Sequence, residues 1–163
     1  MEALKKLNHF LNMALVWIAG FFLAGMIFVT CGNIFLRAVW FPLRGTFELM
    51  GYFGAIVTAF ALGYAQMGRA HIAVDIVVVR FPKRVRKVLS GINYFICFVF
   101  FSIVAWQIAK HATTLWKSGE VSETLRFAFY PFTYGVSLGC FVLALVMLVD
   151  FVQLFAPDKG ENT

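Results

Sequence analysis

The amino-acid sequence predicts an all-α integral membrane protein with four transmembrane helices. The chain has 163 residues, of which 61% are hydrophobic, and its mean hydropathy is +0.83. Four stretches contain no Asp, Glu, Lys or Arg: residues 10–36, 49–68, 88–109 and 127–149. Each reaches the length of about 20 apolar residues that a helix needs to cross a bilayer. We therefore predict one four-helix membrane domain over residues 1–155 and a flexible cytoplasmic tail over 156–163.

The positions of Lys and Arg predict the orientation of the helices. Cytoplasmic segments of membrane proteins are enriched in these residues. One side of the predicted bundle carries Lys5, Lys6, Arg69, Arg80, Lys83, Arg84, Arg86, Lys87 and Lys159, and the other carries Arg37, Arg44, Lys110, Lys117 and Arg126. Both termini are therefore predicted to be cytoplasmic. The run RFPKRVRK, residues 80–87, is predicted to contact anionic lipid heads rather than nucleic acid.

Polar residues surround the turn between the first two spans. Asn33 and Arg37 are four residues apart and share one helix face. Glu48 falls in the first turn of the second span, where a carboxylate suits the helix dipole. Arg37 and Glu48 have two interpretations: an ion pair that closes the hairpin, or an arginine that reaches water beside a glutamate that serves its own helix end. We predict a structural role for these three residues at the membrane surface.

The second connection contains RAHIAVDIVVVRF, residues 69–81, which is too short to span a membrane. In a helix, His71 and Asp75 would form one polar stripe over an apolar body, which predicts an amphipathic segment in the membrane interface. The valines also allow a strand. A metal site at His71 and Asp75 would lack a third ligand nearby, so the interfacial polar pair is favoured. From Pro82 the third helix is predicted to continue to about residue 116, well beyond the hydrocarbon.

Small residues recur at every fourth position of the second span: Gly51, Ala55, Ala59 and Gly63. The fourth span contains Gly135 and Gly139 at the same spacing. In lipid, small residues allow helices to approach closely. These strips can pack within the four-helix unit or against another subunit. Two such strips are more than we expect one small bundle to use for its own packing. We expect at least one of them to bind a partner helix.

Residues that carry chemistry are scarce. The middle of each span lacks Asp, Glu, Lys, Arg and His, whereas a proton-coupled carrier usually keeps an ionisable group there. We therefore expect no transport by the chain alone. No nucleophile–base pair or phosphate loop indicates an enzyme, and the cysteines fit no metal spacing. A haem site between His9, His71 and His111 would need two of them at similar depth within the spans, but all three lie near span ends.

Several stretches, in order, resemble one family. They are NIFLR at 33–37, PLRGTFEL at 42–49, ALGYAQMGRAHIAVD at 61–75 and SETLRFAFYP at 122–131. Together they are similar to the small membrane subunit, DctQ-like, of tripartite ATP-independent periplasmic (TRAP) transporters. The resemblance covers nearly the whole chain.

The resemblance implies a role and partners. In this family a periplasmic binding protein delivers an organic anion, a carboxylate or sulfonate, to a large membrane subunit driven by sodium. The small subunit is similar to a non-catalytic scaffold in the bacterial inner membrane, with no cofactor of its own and with sodium bound in the large subunit. In the last extracytoplasmic loop, Glu120 and Glu123 are candidates for docking the binding protein. The alternatives are a haem-binding anchor of a respiratory oxidoreductase, which a Soret band would reveal, and a free-standing small channel or carrier.

Overall fold

The fold is described from a computed structural model, which covers residues 2–39, 41, 45–67, 82–122 and 124–155. Four α-helices make up nearly all of this part of the chain: α1 (Glu2–Val39), α2 (Thr46–Met67), α3 (Lys83–Ser118) and α4 (Tyr130–Phe155). All four are long and apolar enough to cross a membrane. The predicted all-α fold with four spanning helices is therefore confirmed. The predicted interfacial segment, with His71 and Asp75, lies outside the described residues.

Two of the helices are much longer than a bilayer requires. α1 has 38 residues and α3 has 36, so at 1.5 Å per residue each is roughly 55 Å long, against a hydrocarbon layer of about 30 Å. α1 contains the polar residues before the first predicted span. α3 begins directly after Pro82, whose backbone is extended. Both helices must therefore tilt or project beyond the hydrocarbon.

The helices pack in the order α1, α2, α4, α3. α2 lies between α1 and α4, α1 also touches α4, and α3 packs mainly along α4. α1 and α2 run antiparallel, as do α3 and α4, whereas the central pair α2 and α4 runs parallel, with Glu48 near Ser122 at one end and Gln66 near Asp150 at the other. One end of the bundle therefore holds the α1–α2 turn and the α3–α4 loop, and the other holds the starts of α1 and α3 and the ends of α2 and α4. We call these the loop end and the terminal end. Which end faces the cytoplasm stays a prediction.

The core lies where α1, α2 and α4 meet. Its buried apolar side chains form one cluster: Leu15, Ala19, Ile56, Ala59, Phe60 and Val142. α2 and α4 approach each other closely, because a Cβ built on Gly139 would lie 2.7 Å from the backbone oxygen of Ala59. Helices in lipid associate by this kind of backbone packing, because lipid tails leave little hydrophobic driving force between them.

Small residues and a hydrogen bond are among the contacts between α3 and α4. Ala105 and Ala112 are buried on α3, and the Ser137 hydroxyl of α4 donates to the Ala105 carbonyl at 2.8 Å. Large apolar side chains point outward elsewhere, among them Trp17, Phe21 and Trp106, each at least three-quarters exposed. Such exposure suits contact with lipid or with other membrane helices.

Candidate functional site

The loop between α3 and α4 has a defined structure at the loop end. Gly119 ends α3 in the left-handed conformation, with φ of 66°, and its N–H donates to the Leu115 carbonyl at 3.1 Å. The Ser122 N–H then donates to the Phe127 carbonyl at 2.8 Å, and the Arg126 N–H donates to the Ser122 carbonyl at 3.0 Å. These bonds bring Ser122, Arg126 and Phe127 together in a compact turn.

This turn is bound to the first turn of α2 through one carboxylate. Thr124 donates to Glu48 Oε1 from its hydroxyl at 2.9 Å and from its backbone N–H at 3.3 Å. The Ser122 hydroxyl donates to Glu48 Oε2, and Ser122 is 1% exposed. We call Glu48, Ser122 and Thr124 the loop clasp. Hydrogen bonds to an ionised acceptor are roughly twice as strong as neutral ones, so the clasp is a strong link between the two halves of the bundle.

A second contact beside the clasp depends on a glycine. Gly45, in the α1–α2 turn, has φ of 83°, and a Cβ there would lie 2.8 Å from Leu125 Cδ1. Only glycine adopts this backbone conformation easily and also leaves room for the leucine. The α3–α4 loop therefore packs on the α1–α2 turn through apolar contact as well as through the clasp.

Three aromatic rings pack together next to the clasp, one helix turn further along α2. The Tyr52 ring stacks on Phe132 with centroids 5.1 Å apart and meets Phe129 edge-on at 5.4 Å. Offset and edge-on ring pairs contribute beyond their buried area. The start of α4 is thus fixed to α2 one turn beneath Glu48.

The outer surface of the loop is charged and accessible. Glu120 and Arg126 are exposed beside the clasp, and Arg126 has φ of 54°, a conformation that non-glycine residues adopt uncommonly. Glu123, the other predicted docking residue, lies outside the described residues. The docking role of Glu120 stays a prediction.

Glu48 has different partners from those considered in the sequence. Its carboxylate is bound by the loop, and within the described part of the chain it forms no ion pair with Arg37, which is exposed. Asn33 is half-buried on α1. Sequence reasoning missed Ser122 and Thr124. The sequence does contain a signal for them, a polar Ser-Glu-Thr run in the α3–α4 loop. The alternation of the helices places this loop at the same end of the bundle as Glu48, the one acidic residue of α2.

The small-residue strip of α2 divides into two halves. Ala59 and Gly63 are buried inside the bundle, whereas Gly51 and Ala55 are exposed, and nothing lies within 4 Å of a Cβ built on Gly51. On α4, Gly139 packs on Ala59, and the Gly135 position faces Ile56 and Phe60. Part of both strips thus packs within the chain, while Gly51 and Ala55 leave an open surface. Binding of a partner helix at these residues stays a prediction.

Ala55→Leu is expected to lower the yield of partner protein that co-purifies with this chain several-fold, while the chain itself still folds. The reason is that Ala55 is exposed, so leucine there obstructs only an approaching helix. Pull-down from membranes measures the yield. Ala61→Leu, also exposed on α2, is the control. A wild-type yield for Ala55→Leu would show that this surface faces lipid.

The histidines, cysteines and carboxylates of the described residues lie apart from one another. Among the described residues, no three His, Cys, Asp or Glu side chains lie close enough together to hold a metal ion. His9 and His111 are exposed at opposite ends of the bundle, so these two cannot bind one haem between them. Cys31, Cys97 and Cys140 are free thiols.

Four membrane-spanning helices, joined at one end by a carboxylate clasp, define a small multi-pass membrane protein. The family model described as "Tripartite ATP-independent periplasmic transporters, DctQ component" matches residues 26–156. The chain therefore belongs to the DctQ family, and it is the small membrane subunit of a TRAP transporter. Neither a curated protein nor a solved structure matches the chain significantly.

Family membership also decides the location and the kinds of protein partner. A TRAP transporter joins this subunit with a large membrane subunit and a periplasmic binding protein, in the inner membrane. The predicted family, the predicted location and these two classes of protein partner are confirmed. The predicted contact of the basic run with anionic lipid stays a prediction.

Proposed function

We propose that this chain is a non-catalytic scaffold for a sodium-coupled importer of small organic anions, of the carboxylate or sulfonate class. It would stabilise the large membrane subunit and help dock the periplasmic binding protein at the loop end. The observation that carries the proposal is the DctQ match in a chain whose span centres have no Asp, Glu, Lys, Arg or His. The substrate and ion sites would then belong to the large subunit.

The packing of the helices supports a static role. α2 and α4 touch through backbone at Gly139, and Ser137 binds α4 to α3. The loop clasp joins the first turn of α2 to the loop that precedes α4. Close-packed interiors transmit strain rather than deform. A bundle held at these points suits a fixed framework beside a moving transport domain.

The outward surface supports a role in assembly. α1 and α3 expose large apolar side chains along their length, including Phe28 at 81% and Trp106 at 75%. α2 adds the open small residues Gly51 and Ala55. This combination gives a wide apolar surface with one place where a partner helix can approach closely.

Reconstitution into liposomes tests the proposed function. The chain, the large subunit and the binding protein are combined, and uptake of a panel of labelled carboxylates and sulfonates is measured with an inward sodium gradient. We expect uptake only when all three proteins are present and only with sodium, with choline as the control cation. Solute flux through this chain alone would contradict the scaffold role. Uptake by the other two proteins at the full rate without this chain would do the same.

Glu120→Lys is expected to lower binding-protein-dependent uptake several-fold, because it reverses an exposed charge on the surface that we propose for docking. The effect should appear as a weaker apparent affinity for the binding protein and should shrink at high salt. Glu120→Asp keeps the charge and serves as the control. Uptake at the wild-type level in the lysine variant would remove Glu120 from the docking surface.

A further inference from the structure

One face of α1 carries a continuous line of large apolar side chains. They are spaced seven or four residues apart, so they share one side of the helix, and each is at least 64% exposed: Phe10, Trp17, Phe21, Phe28, Phe35 and Val39. We call these residues the α1 ridge. The only charged residue between its two ends is Arg37, which lies two residues from Phe35 and therefore on the opposite face. The ridge is thus an uninterrupted apolar surface.

The α1 ridge is longer than the hydrocarbon layer of a bilayer is thick. Residues 10–39 of α1 span roughly 45 Å, against about 30 Å of hydrocarbon. To fit inside that layer, α1 would need a tilt of roughly 50°, whereas spanning helices tilt by about 0–40°. Lipid tails alone therefore do not cover the whole ridge.

The opposite edge of the bundle, α3, does match a bilayer. Its exposed cations Lys87 and Lys110 bracket residues 88–109, which span roughly 33 Å. Trp106 is 75% exposed near the upper limit of this stretch, as expected for a ring at the level of the lipid heads. A tilt of the bundle shortens the spans of α1 and α3 together, so it does not remove the difference between them.

Contacts between α1 and α2 show where the ridge exceeds the bilayer. α1 follows α2 from Asn12, which lies against Gly63 at the terminal end, to Thr30, whose hydroxyl lies 3.5 Å from Met50 Sδ. Thr30 is therefore near the level of Met50, close to the start of α2. Beyond Thr30, α1 continues for nine residues to Val39, which is roughly 14 Å further toward the loop end.

Contacts of α4 place Lys110 of α3 near the same level. Tyr52 of α2, within one turn of Met50, stacks on Phe132 of α4. Ser137 of α4 binds the Ala105 carbonyl of α3, and five residues toward the loop end along these two antiparallel helices lead to Phe132 and Lys110. The last part of the α1 ridge therefore rises above the cation that marks the membrane surface on α3.

We propose that the α1 ridge binds an apolar helix of the large membrane subunit, and that this helix continues beside Phe35 and Val39 beyond the hydrocarbon. The inference rests on the proposed scaffold role, because it assigns the surface that would hold the large subunit. An aromatic side chain offers about 150–250 Å², so the exposed parts of the five aromatic residues amount to roughly 700 Å². A specific interface takes about 800 Å² from each partner, and one long helix along the ridge would supply it.

Site-directed photocrosslinking in the assembled transporter tests the ridge. The photoreactive analogue p-benzoylphenylalanine replaces Phe21 or Phe35, and Phe100 of α3, which is 59% exposed, is the matched control. Membranes that contain all three transporter proteins are irradiated, and adducts are identified by mass. We expect both ridge positions to give an adduct with the large subunit and Phe100 to give none. The two ridge positions are independent, so failure of one variant to fold leaves the other as the test.

Labelling with a membrane-impermeant maleimide tests whether the end of the ridge lies outside the hydrocarbon. Val39→Cys is compared in the chain alone, in lipid nanodiscs, and in the complete transporter. We expect it to react in the chain alone and at least tenfold more slowly in the transporter, where the partner helix covers it. Phe21→Cys, in the middle of the ridge, is the control and should stay unlabelled in both. The wild type gives the background from the native cysteines.

Adducts from the ridge with lipid alone, or with a second copy of this chain, would overturn the proposal. An adduct of Phe100 with the large subunit as strong as those from the ridge, or a Val39→Cys that is unreactive in the chain alone, would do the same. If the large subunit co-purifies with this chain but neither ridge position crosslinks to it, the scaffold proposal stands and the assigned surface is wrong. If the large subunit is not recovered with this chain at all, the scaffold proposal itself fails.

Discussion

Gly139→Ala is expected to destabilise the chain by about 1–3 kcal/mol, and Gly139→Leu is expected to prevent stable folding. The Cβ of alanine would lie 2.7 Å from the Ala59 oxygen and 2.8 Å from the Ala59 carbonyl carbon. Both are backbone atoms of a neighbouring helix, so no side chain can rotate away to relieve the clash. α2 and α4 would have to separate at Ala59, which is part of the core.

The effect is measured as a change in Tm. The protein is heated in mild detergent, and the fraction that stays monodisperse is recorded at each temperature. Two glycines of the same strips provide matched controls. A Cβ on Gly135 would lie 3.7 Å from the nearest side-chain atoms, and a Cβ on Gly51 would meet nothing within 4 Å. Gly135→Ala and Gly51→Ala should therefore keep the wild-type Tm. A wild-type Tm for Gly139→Ala would mean that α2 and α4 do not cross at Ala59.

Glu48→Ala is expected to release the α3–α4 loop and to lower the Tm of the chain, because the loop loses the acceptor of three hydrogen bonds. The substitution removes the carboxylate that accepts from the Ser122 hydroxyl and from both donors of Thr124. Ser122 is almost fully buried, so it cannot turn to water without opening the loop. Loss of order should follow at the surface that carries Glu120 and Arg126.

Amide hydrogen exchange of residues 121–127 measures the release directly, and we expect it to become several-fold faster. Glu48→Gln keeps one acceptor oxygen for Thr124 and should give an intermediate rate. Glu120→Gln, in the exposed part of the same loop, should exchange at the wild-type rate. Unchanged exchange in Glu48→Ala would show that Gly45, Leu125 and the aromatic rings hold the loop without the clasp. If the loop docks the binding protein, uptake should fall together with loop order.

The candidate site shows where prediction from the sequence stops. Glu48 was recognised as a polar residue of the membrane surface because one carboxylate at a helix start is visible in the chain itself. Its partners were not, since Ser122 and Thr124 are 74 and 76 residues away in the sequence. The choice between Arg37 and the loop depended on how the helices are arranged in space, and the order α1, α2, α4, α3 brings the loop to Glu48.

The glycines show the same limit. Their spacing predicted close helix contacts, but spacing alone cannot tell a neighbour in the same chain from one in another chain. Gly139 faces Ala59 inside the bundle, whereas Gly51, on the same kind of strip, faces outward. In lipid, both faces of such a helix are apolar, so hydrophobicity does not distinguish the inside from the outside as it does in a soluble protein.

The sequence by itself determined that this protein has four membrane-spanning helices, because the length of an apolar run and the need for internal backbone hydrogen bonds are local requirements. The ordered motifs also indicated the family. The tertiary structure alone decided which small residues pack inside, that Glu48 binds the distant loop, and that Asn12 meets Gly63 at the terminal end. These contacts join residues on different helices, and only the packing of those helices brings them within reach of one another.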